Sequence, residues 1–149
     1  MSDTEQKAFP LRVEQVGIIV KNREEAMQKW TSLWGVGPFR LHEVDLPDGL
    51  VRGKKTRCKA KLAFAQVGPL EIELIEPEES VSTWGEFLRD RGEVVHHLGT
   101  WVSDIDKEIA EYSEKGLGVL QYGDDGFVRF AYMDTEPAAG VIIELLQRK

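Results

Sequence analysis

Four side chains able to hold a metal or move a proton fall at matching points of an internal repeat. Gln15-Val-Gly-Ile-Ile-Val20 recurs as His97-Leu-Gly-Thr-Trp-Val102, and Ile72-Glu73-Leu74-Ile75 recurs as Ile143-Glu144-Leu145-Leu146. Lys61-Leu-Ala-Phe64 and Arg129-Phe-Ala-Tyr132 follow in the same order between them. Gln15, Glu73, His97 and Glu144 therefore occupy equivalent places in two half-domains. The run Val141 to Leu146 reads as a strand covered on both faces, where a carboxylate is costly unless it is paired or coordinated. Glu144 needs a partner.

Alternation along a strand sorts the neighbours of these four residues. Glu71, Glu73 and Ile75 share one face, while Leu70, Ile72 and Leu74 share the other. Gln15 groups with Gly17 and Ile19, and His97 groups with Gly99 and Trp101; the two glycines leave space beside the polar side chains. Trp101 is thus a candidate pocket wall, and His96 is expected on the face away from His97. His42 lies in a strand where it could line the pocket, but a solvated position is expected. Lys59, Lys61, Ala63 and Ala65 share a face, on which Lys61 is expected to look into the pocket. With its counterpart Arg129 it would favour an anionic substrate such as a carboxylate. The alternative is that one of the two pairs structurally with Glu71 or Glu73.

These residues must be positioned by regular elements, and the pattern supplies them. A strand over 11–20 precedes a helix that starts at Asn22-x-x-Glu25, a capping-box spacing, and stops at Gly35. Its stripe is Ala26, Met27, Trp30, Leu33 and Trp34. Strands near 39–44, 58–67 and 70–76 follow, the last two joined at Gly68-Pro69. Residues 46–56, rich in Gly and Lys, are expected to form a mobile loop near the pocket mouth. A linker helix capped at Thr83-x-x-Glu86 ends at Gly92. The second half repeats the order: a strand over 96–102, a helix with Ile105, Ile109 and Tyr112 buried and a stop at Gly116, then strands near 119–122, 127–133 and 141–147. Trp30, Trp34 and Tyr112 are expected in the core, and Glu76, Glu78 and Glu79 in a solvated turn.

The 149 residues suit one domain with a substantial core. A net charge of -7 and a pI near 5.0 argue against nucleic acid or an anionic membrane as the main partner. The single cysteine, Cys58, excludes an intrachain disulfide and is read as structural. No apolar stretch reaches the length of a membrane span, and the opening Met1-Ser-Asp-Thr-Glu-Gln-Lys7 lacks the apolar run of a signal peptide, so a cytoplasmic location is expected.

At Gln15, Glu73, His97 and Glu144 the chain resembles the vicinal oxygen chelate superfamily, which unites glyoxalases, bleomycin-resistance proteins and ring-cleaving dioxygenases. The likeness also runs through Val16-Gly-Ile-Ile-Val-Lys21, Glu71-Ile-Glu-Leu-Ile-Glu-Pro77, Phe87-Leu-Arg-Asp-Arg-Gly92, His96-His-Leu-Gly99, Asp104-Ile105, Glu114-Lys-Gly116 and Gly140-Val-Ile-Ile-Glu-Leu145. Within the superfamily it is similar to the methylmalonyl-CoA epimerases. The resemblance implies an α+β fold of two paired βαβββ modules whose curved mixed sheets surround a metal pocket. Residues 1–149 would form one such domain, with module one over about 11–77, a linker helix over about 78–93 and module two over about 94–149. A homodimer is expected, because superfamily members commonly pair and short modules leave strand edges to cover.

The same resemblance implies that Gln15, Glu73, His97 and Glu144 are the metal ligands. Three oxygens and one imidazole suit Co²⁺, Ni²⁺, Mn²⁺ or Zn²⁺, with positions left open for catalysis. The expected activity is that of a metal-dependent isomerase or lyase taking a proton from the carbon next to a carbonyl. The substrate would be a small anionic carbonyl compound, an acyl-CoA in the epimerase form. Glu144 is one candidate acid/base. Lys61 stands where the epimerases carry the second, a Glu, and either replaces it or binds the anion. The epimerase loop of type His-Pro-Lys-Ser is replaced here by Asp134-Thr-Glu-Pro137. Gln15 stands where epimerases usually have His, and Gln, Glu, His, Glu is similar to the ligand set of animal-type glyoxalase I. A lactoylglutathione lyase is therefore the alternative, although the arginine that grips glutathione in that family would fall at Ile19. A non-catalytic small-molecule binder of the bleomycin-resistance type is the third reading. The two-histidine iron site of a dioxygenase is missing.

Overall fold

The computed structural model describes residues 10–149, so the opening segment Met1 to Lys7 lies outside the described residues. The chain runs β1 (Gln15–Ile19), α1 (Arg23–Trp34), β2 (Arg40–Val51), β3 (Lys54–Val67), β4 (Leu70–Pro77), α2 (Thr83–Arg91), β5 (Val94–Trp101), α3 (Ile105–Glu114), β6 (Val119–Asp124), β7 (Val128–Met133), α4 (Glu136–Ala139) and β8 (Ile142–Arg148). The two βαβββ modules give sheets ordered β1-β4-β3-β2 and β5-β8-β7-β6. The first and last strands of each module pair in parallel, β1 with β4 and β5 with β8. Antiparallel pairing of β1 with β5 and of β2 with β6 joins the sheets into a closed, eight-stranded α+β barrel. The second seam is short, with Leu50 and Val51 against Tyr122 and Gln121.

Three apolar clusters follow from this closure. The barrel interior holds Ile19, Val44, Leu62, Ile75, Phe130 and Tyr132, and α2 feeds Trp84 and Phe87 into it. On the outside, α1 packs Ala26, Met27 and Trp30 over Ala63, Ile72 and Leu74. At the equivalent place in module two, Ile105 and Ile109 of α3 cover Ala131, Met133 and Leu145. Both faces of β7 and β8 are therefore buried over Phe130–Met133 and Ile142–Leu146, which accounts for the apolar runs there, broken by Glu144.

Local signals work where they are self-contained. Asn22 Oδ1 accepts the Glu25 N–H at 2.9 Å, and Gly35 ends α1 in the left-handed region at φ 66°. Three expectations are corrected. Residues 46–56 are no loop: β2 and β3 continue through them as a hairpin, turned at Arg52 and Gly53 with φ of 49° and 78°. Leu33 and Trp34 are 67% and 64% exposed, because the last turn of α1 runs past the sheet it covers. The cap of α2 is Ser82, whose Oγ accepts the Gly85 N–H, so Thr83 is free to bond elsewhere. Among the described residues no helix is long and apolar enough to cross a membrane. Cys58 is buried in the interior cluster, and burial pushes its thiol up to about 12, in keeping with a structural role.

Candidate metal centre

Four strands converge their polar side chains on one point inside the barrel. Nε2 of His97 on β5 lies 3.0 Å from Glu144 Oε1 on β8, 3.3 Å from Glu73 Oε1 on β4 and 3.1 Å from Gln15 Oε1 on β1. All four side chains are buried. Parallel pairing explains the convergence, since β1 with β4 and β5 with β8 set Gly17 opposite Glu73 and Gly99 opposite Glu144. The glycines are a steric requirement. A Cβ on Gly17 would overlap the His97 imidazole, and one on Gly99 would crowd Gln15 and Glu144 at 3.1–3.2 Å.

Charge dominates this cluster. Burial drives Glu73 above the usual carboxylate range, against the pull of His97. Burial also disfavours charge on His97, but Glu144 and then Glu73 reverse this and carry it up to about 10. Oε1 of Glu73 and Oε1 of Glu144 are fully buried, and their one polar contact is the single Nε2 of His97, which they share without a well-aligned hydrogen bond. Two buried carboxylates facing one imidazole nitrogen need a further positive charge between them. Ligand atoms of Glu73, His97 and Glu144 lie within 4.8 Å of one another. Two carboxylates, one imidazole and the Gln15 carbonyl thus fit a divalent cation, with the hard and borderline donors that suit Co²⁺, Ni²⁺, Mn²⁺ or Zn²⁺.

The cluster forms part of the wall of a cavity of about 850 Å³. Its apolar lining includes Val44, Leu62, Phe64, Phe130 and Trp101. Tyr132 lies beside Glu144, its hydroxyl accepting the Trp84 indole N–H at 3.0 Å. The polar lining includes His42, whose Nε2 is 3.6 Å from Asp125 Oδ2. Arginines ring the rest: Arg12, Arg40 stacked 4.4 Å over Phe64, and Arg148 stacked 3.8 Å over Trp101.

Residues 14–132 match the family profile of the Glyoxalase/Bleomycin resistance protein/Dioxygenase superfamily. The chain belongs to this superfamily. A relative from Bacillus subtilis (strain 168), the uncharacterized protein YqjC, is 23% identical over 142 residues, 93% of each chain. Among solved structures, methylmalonyl-CoA epimerase from Mycobacterium tuberculosis aligns with a TM-score of 0.68 at 22% identity, over 91% of this chain and 87% of that one. A Streptomyces coelicolor methylmalonyl-CoA epimerase variant in complex with 2-nitronate-propionyl-CoA aligns with a TM-score of 0.71 at 20% identity, over 92% and 96%.

Within this superfamily fold, the residues expected to act separate into two groups. Gln15, Glu73, His97 and Glu144 meet, and Trp101 lines the cavity beside them. Lys61 and Arg129 do not join them. Lys61 shares the outer face of β3 with Ala63, beneath α1, and its Nζ is 4.0 Å from Glu76. Arg129 shares the outer face of β7 with Ala131 and forms a bidentate pair with Asp106 of α3. Small residues face the closely packed helices, while Leu62, Phe64, Phe130 and Tyr132 fill the wide interior. The inward phase of these strands is therefore the opposite of the one expected.

His96 is corrected as well. Gly17 pairs with His97 while the next residue, Ile18, pairs with Val95, so β5 carries a bulge that buries His96 beside His97. His42 lines the cavity, the alternative to a solvated position, with its side chain still 38% exposed. The arginines were missed, although alternation offers a signal for two of them: Arg40 is in phase with His42 and Val44, and Arg148 with Glu144 and Leu146.

Proposed function

We propose that this superfamily member is a divalent-metal-dependent enzyme that takes a proton from the carbon next to a carbonyl, with an acyl-CoA thioester such as methylmalonyl-CoA as substrate. The observation that carries this reading is the pair of buried carboxylates Glu73 and Glu144, which line a cavity of about 850 Å³ and share the single Nε2 of His97 between their inner oxygens. Gln15, Glu73, His97 and Glu144 would hold the metal, which supplies Lewis-acid polarisation of the substrate carbonyl and so lowers the barrier to enolate formation by several kcal/mol. Glu144 would accept the proton through Oε1. Tyr132 lies beside it, with its hydroxyl held by the Trp84 indole N–H.

Inverting a stereocentre needs a proton donor on the opposite side of the carbon. Lys61 is outside the cavity. His42 is the candidate instead: in the eight-strand ring β2 lies three strands from β8, which carries Glu144, and His42 lines the same cavity with Asp125 at 3.6 Å to orient it. Arg12, Arg40 and Arg148 supply the positive charge first sought at Lys61 and Arg129, and would hold the anionic parts of the substrate. The solved epimerases that share the fold support the same substrate class, one of them in complex with 2-nitronate-propionyl-CoA.

Gln15 favours a second reading, glyoxalase I-like isomerisation of a hemithioacetal, because its carbonyl oxygen is within 3.1 Å of His97. Ile19, fully buried in the barrel interior, offers no charge to a glutathione carboxylate. Incubating the Co²⁺-supplemented protein with methylmalonyl-CoA in D₂O, and separately with the glutathione hemithioacetal of methylglyoxal, distinguishes the two. Deuterium at C2 of the thioester supports the first reading, and S-lactoylglutathione formation replaces it with the second.

A further inference from the structure

His97 has a second nitrogen, and a chain of buried polar groups leads from it to the far wall of the barrel. Nδ1 of His97 lies 2.9 Å from Nδ1 of His96. Nε2 of His96 lies 3.1 Å from Oγ1 of Thr83, the residue released from capping α2. Thr83 Oγ1 donates to Oε1 of Gln121 at 2.7 Å, and the Thr83 backbone N–H donates to the same oxygen at 2.8 Å. Thr83, His96, His97 and Gln121 are all fully buried. None of them except His97 has a part in the chemistry proposed above.

Counting protons along this chain leaves one arrangement. The Thr83 backbone N–H can only donate, so the Gln121 atom facing it is the amide oxygen. That oxygen also takes the single hydroxyl proton of Thr83. Thr83 Oγ1 has then only lone pairs for His96, so His96 carries its proton on Nε2. Its Nδ1 is consequently an acceptor, and the 2.9 Å contact requires a proton on Nδ1 of His97. His96 is buried against Phe87, Tyr132, Thr83 and His97, with no carboxylate at its ring to balance a second proton, so it is neutral with one proton to place.

We propose that Gln121, Thr83 and His96 form a positioning relay that fixes the Nδ1 proton of His97, so that Nε2 presents its lone pair to a cation held with Glu73, Glu144 and Gln15. This rests on the metal-dependent reading above. The relay ties the ligand to the linker helix and to β6, elements that contribute no ligand themselves. It also gives the β5 bulge a purpose, because without it His96 would sit on the outer face. Outer partners of a ligating histidine set its orientation and basicity in the same way.

The test compares Thr83→Val, which keeps the shape but removes the acceptor, with Thr83→Ser, which restores it. Zn²⁺ affinity is measured by competition with a chromophoric chelator, and the folding of the metal-free proteins by thermal melting. Long-range ¹⁵N–¹H correlation spectra of the Zn²⁺-loaded proteins report which nitrogen of each histidine is protonated. The expected result is that Zn²⁺ binding falls roughly 10- to 100-fold in Thr83→Val and recovers to within about threefold of wild type in Thr83→Ser. Wild-type spectra should show His97 protonated at Nδ1 and His96 at Nε2. Wild-type affinity in a folded Thr83→Val protein, or His97 protonated at Nε2, overturns the relay and leaves the metal centre standing. Failure of the wild-type protein to bind Zn²⁺, Co²⁺, Ni²⁺ or Mn²⁺ overturns the metal reading and the relay with it.

Discussion

Nε2 of His97 and Oε1 of Glu144 are 3.0 Å apart inside the barrel, and Glu144 reaches this position from the last strand of the chain. The contact joins the first and last strands of module two, while Gln15 and Glu73 bring the same two strands of module one to the same point. Glu144→Gln removes a negative ligand and the proposed base together. Turnover should fall by about 10²–10⁴-fold, with weaker metal binding. Turnover close to wild type on a confirmed substrate would remove Glu144 from the chemistry.

Gly17 controls the room available to His97. In Gly17→Ala the new methyl overlaps the imidazole, so either the strand or the ring must move. The expected outcome is a loss of about 1–3 kcal/mol in unfolding free energy together with impaired divalent-cation binding. Chemical denaturation and a Zn²⁺ titration on the same preparation check both parts. Gly118, which has open space around it, is the control position.

Proton release is the signature of the charge balance at the centre. With its pKa at about 10, His97 keeps its extra proton across the neutral range in the metal-free protein. A cation at Nε2 must displace that proton, so apparent affinity should rise with pH up to about 10, by about tenfold per unit if one proton leaves. Stability of the metal-free protein carries the matching sign. The favourable His97 contribution is fully present below the ordinary histidine range and is lost as pH rises through about 10, with the raised pKa of Glu73 coupled to it. Calorimetric titration in buffers of different ionisation heat counts the protons; a count of zero contradicts this charge balance.

Lys61, expected in the pocket, lies outside it, and His42 lines it. Lys61→Met should leave kcat and KM within about twofold of wild type, since its partner Glu76 lies on the outer face. His42→Asn should slow interconversion of the two epimers about 10²–10⁴-fold. It should leave Glu144-dependent deuterium exchange of one epimer in place. A large KM increase in Lys61→Met, with unchanged interconversion in His42→Asn, would restore the earlier assignment.

Much of this arrangement was legible in the residues. The repeat located Gln15, Glu73, His97 and Glu144 because equivalent places in paired modules are brought together by the pseudo-symmetry of the sheets. Asn22 and Gly35 marked their helix ends because caps depend on a few neighbouring residues. Alternation also sorted Lys61 and Ala63 from Leu62 and Phe64, but it could not say which set looked inward. Both faces of β3 are covered, one by α1 and one by the barrel interior. The position of His96 depended on a one-residue bulge, which only the pairing of β5 with β1 reveals. Residues 46–56 misled for a related reason: their Gly and Lys content suits the end of a hairpin as readily as a loop.

Solvent-deuterium incorporation at C2 of methylmalonyl-CoA tests the central claim most directly, using chelator-treated protein before and after addition of one equivalent of Co²⁺. Exchange that is absent without metal, restored by Co²⁺ and abolished in Glu144→Gln is the predicted result. Exchange at the same rate in the metal-free protein, or none in the Co²⁺-loaded wild type, would contradict a metal-dependent proton abstraction at this centre.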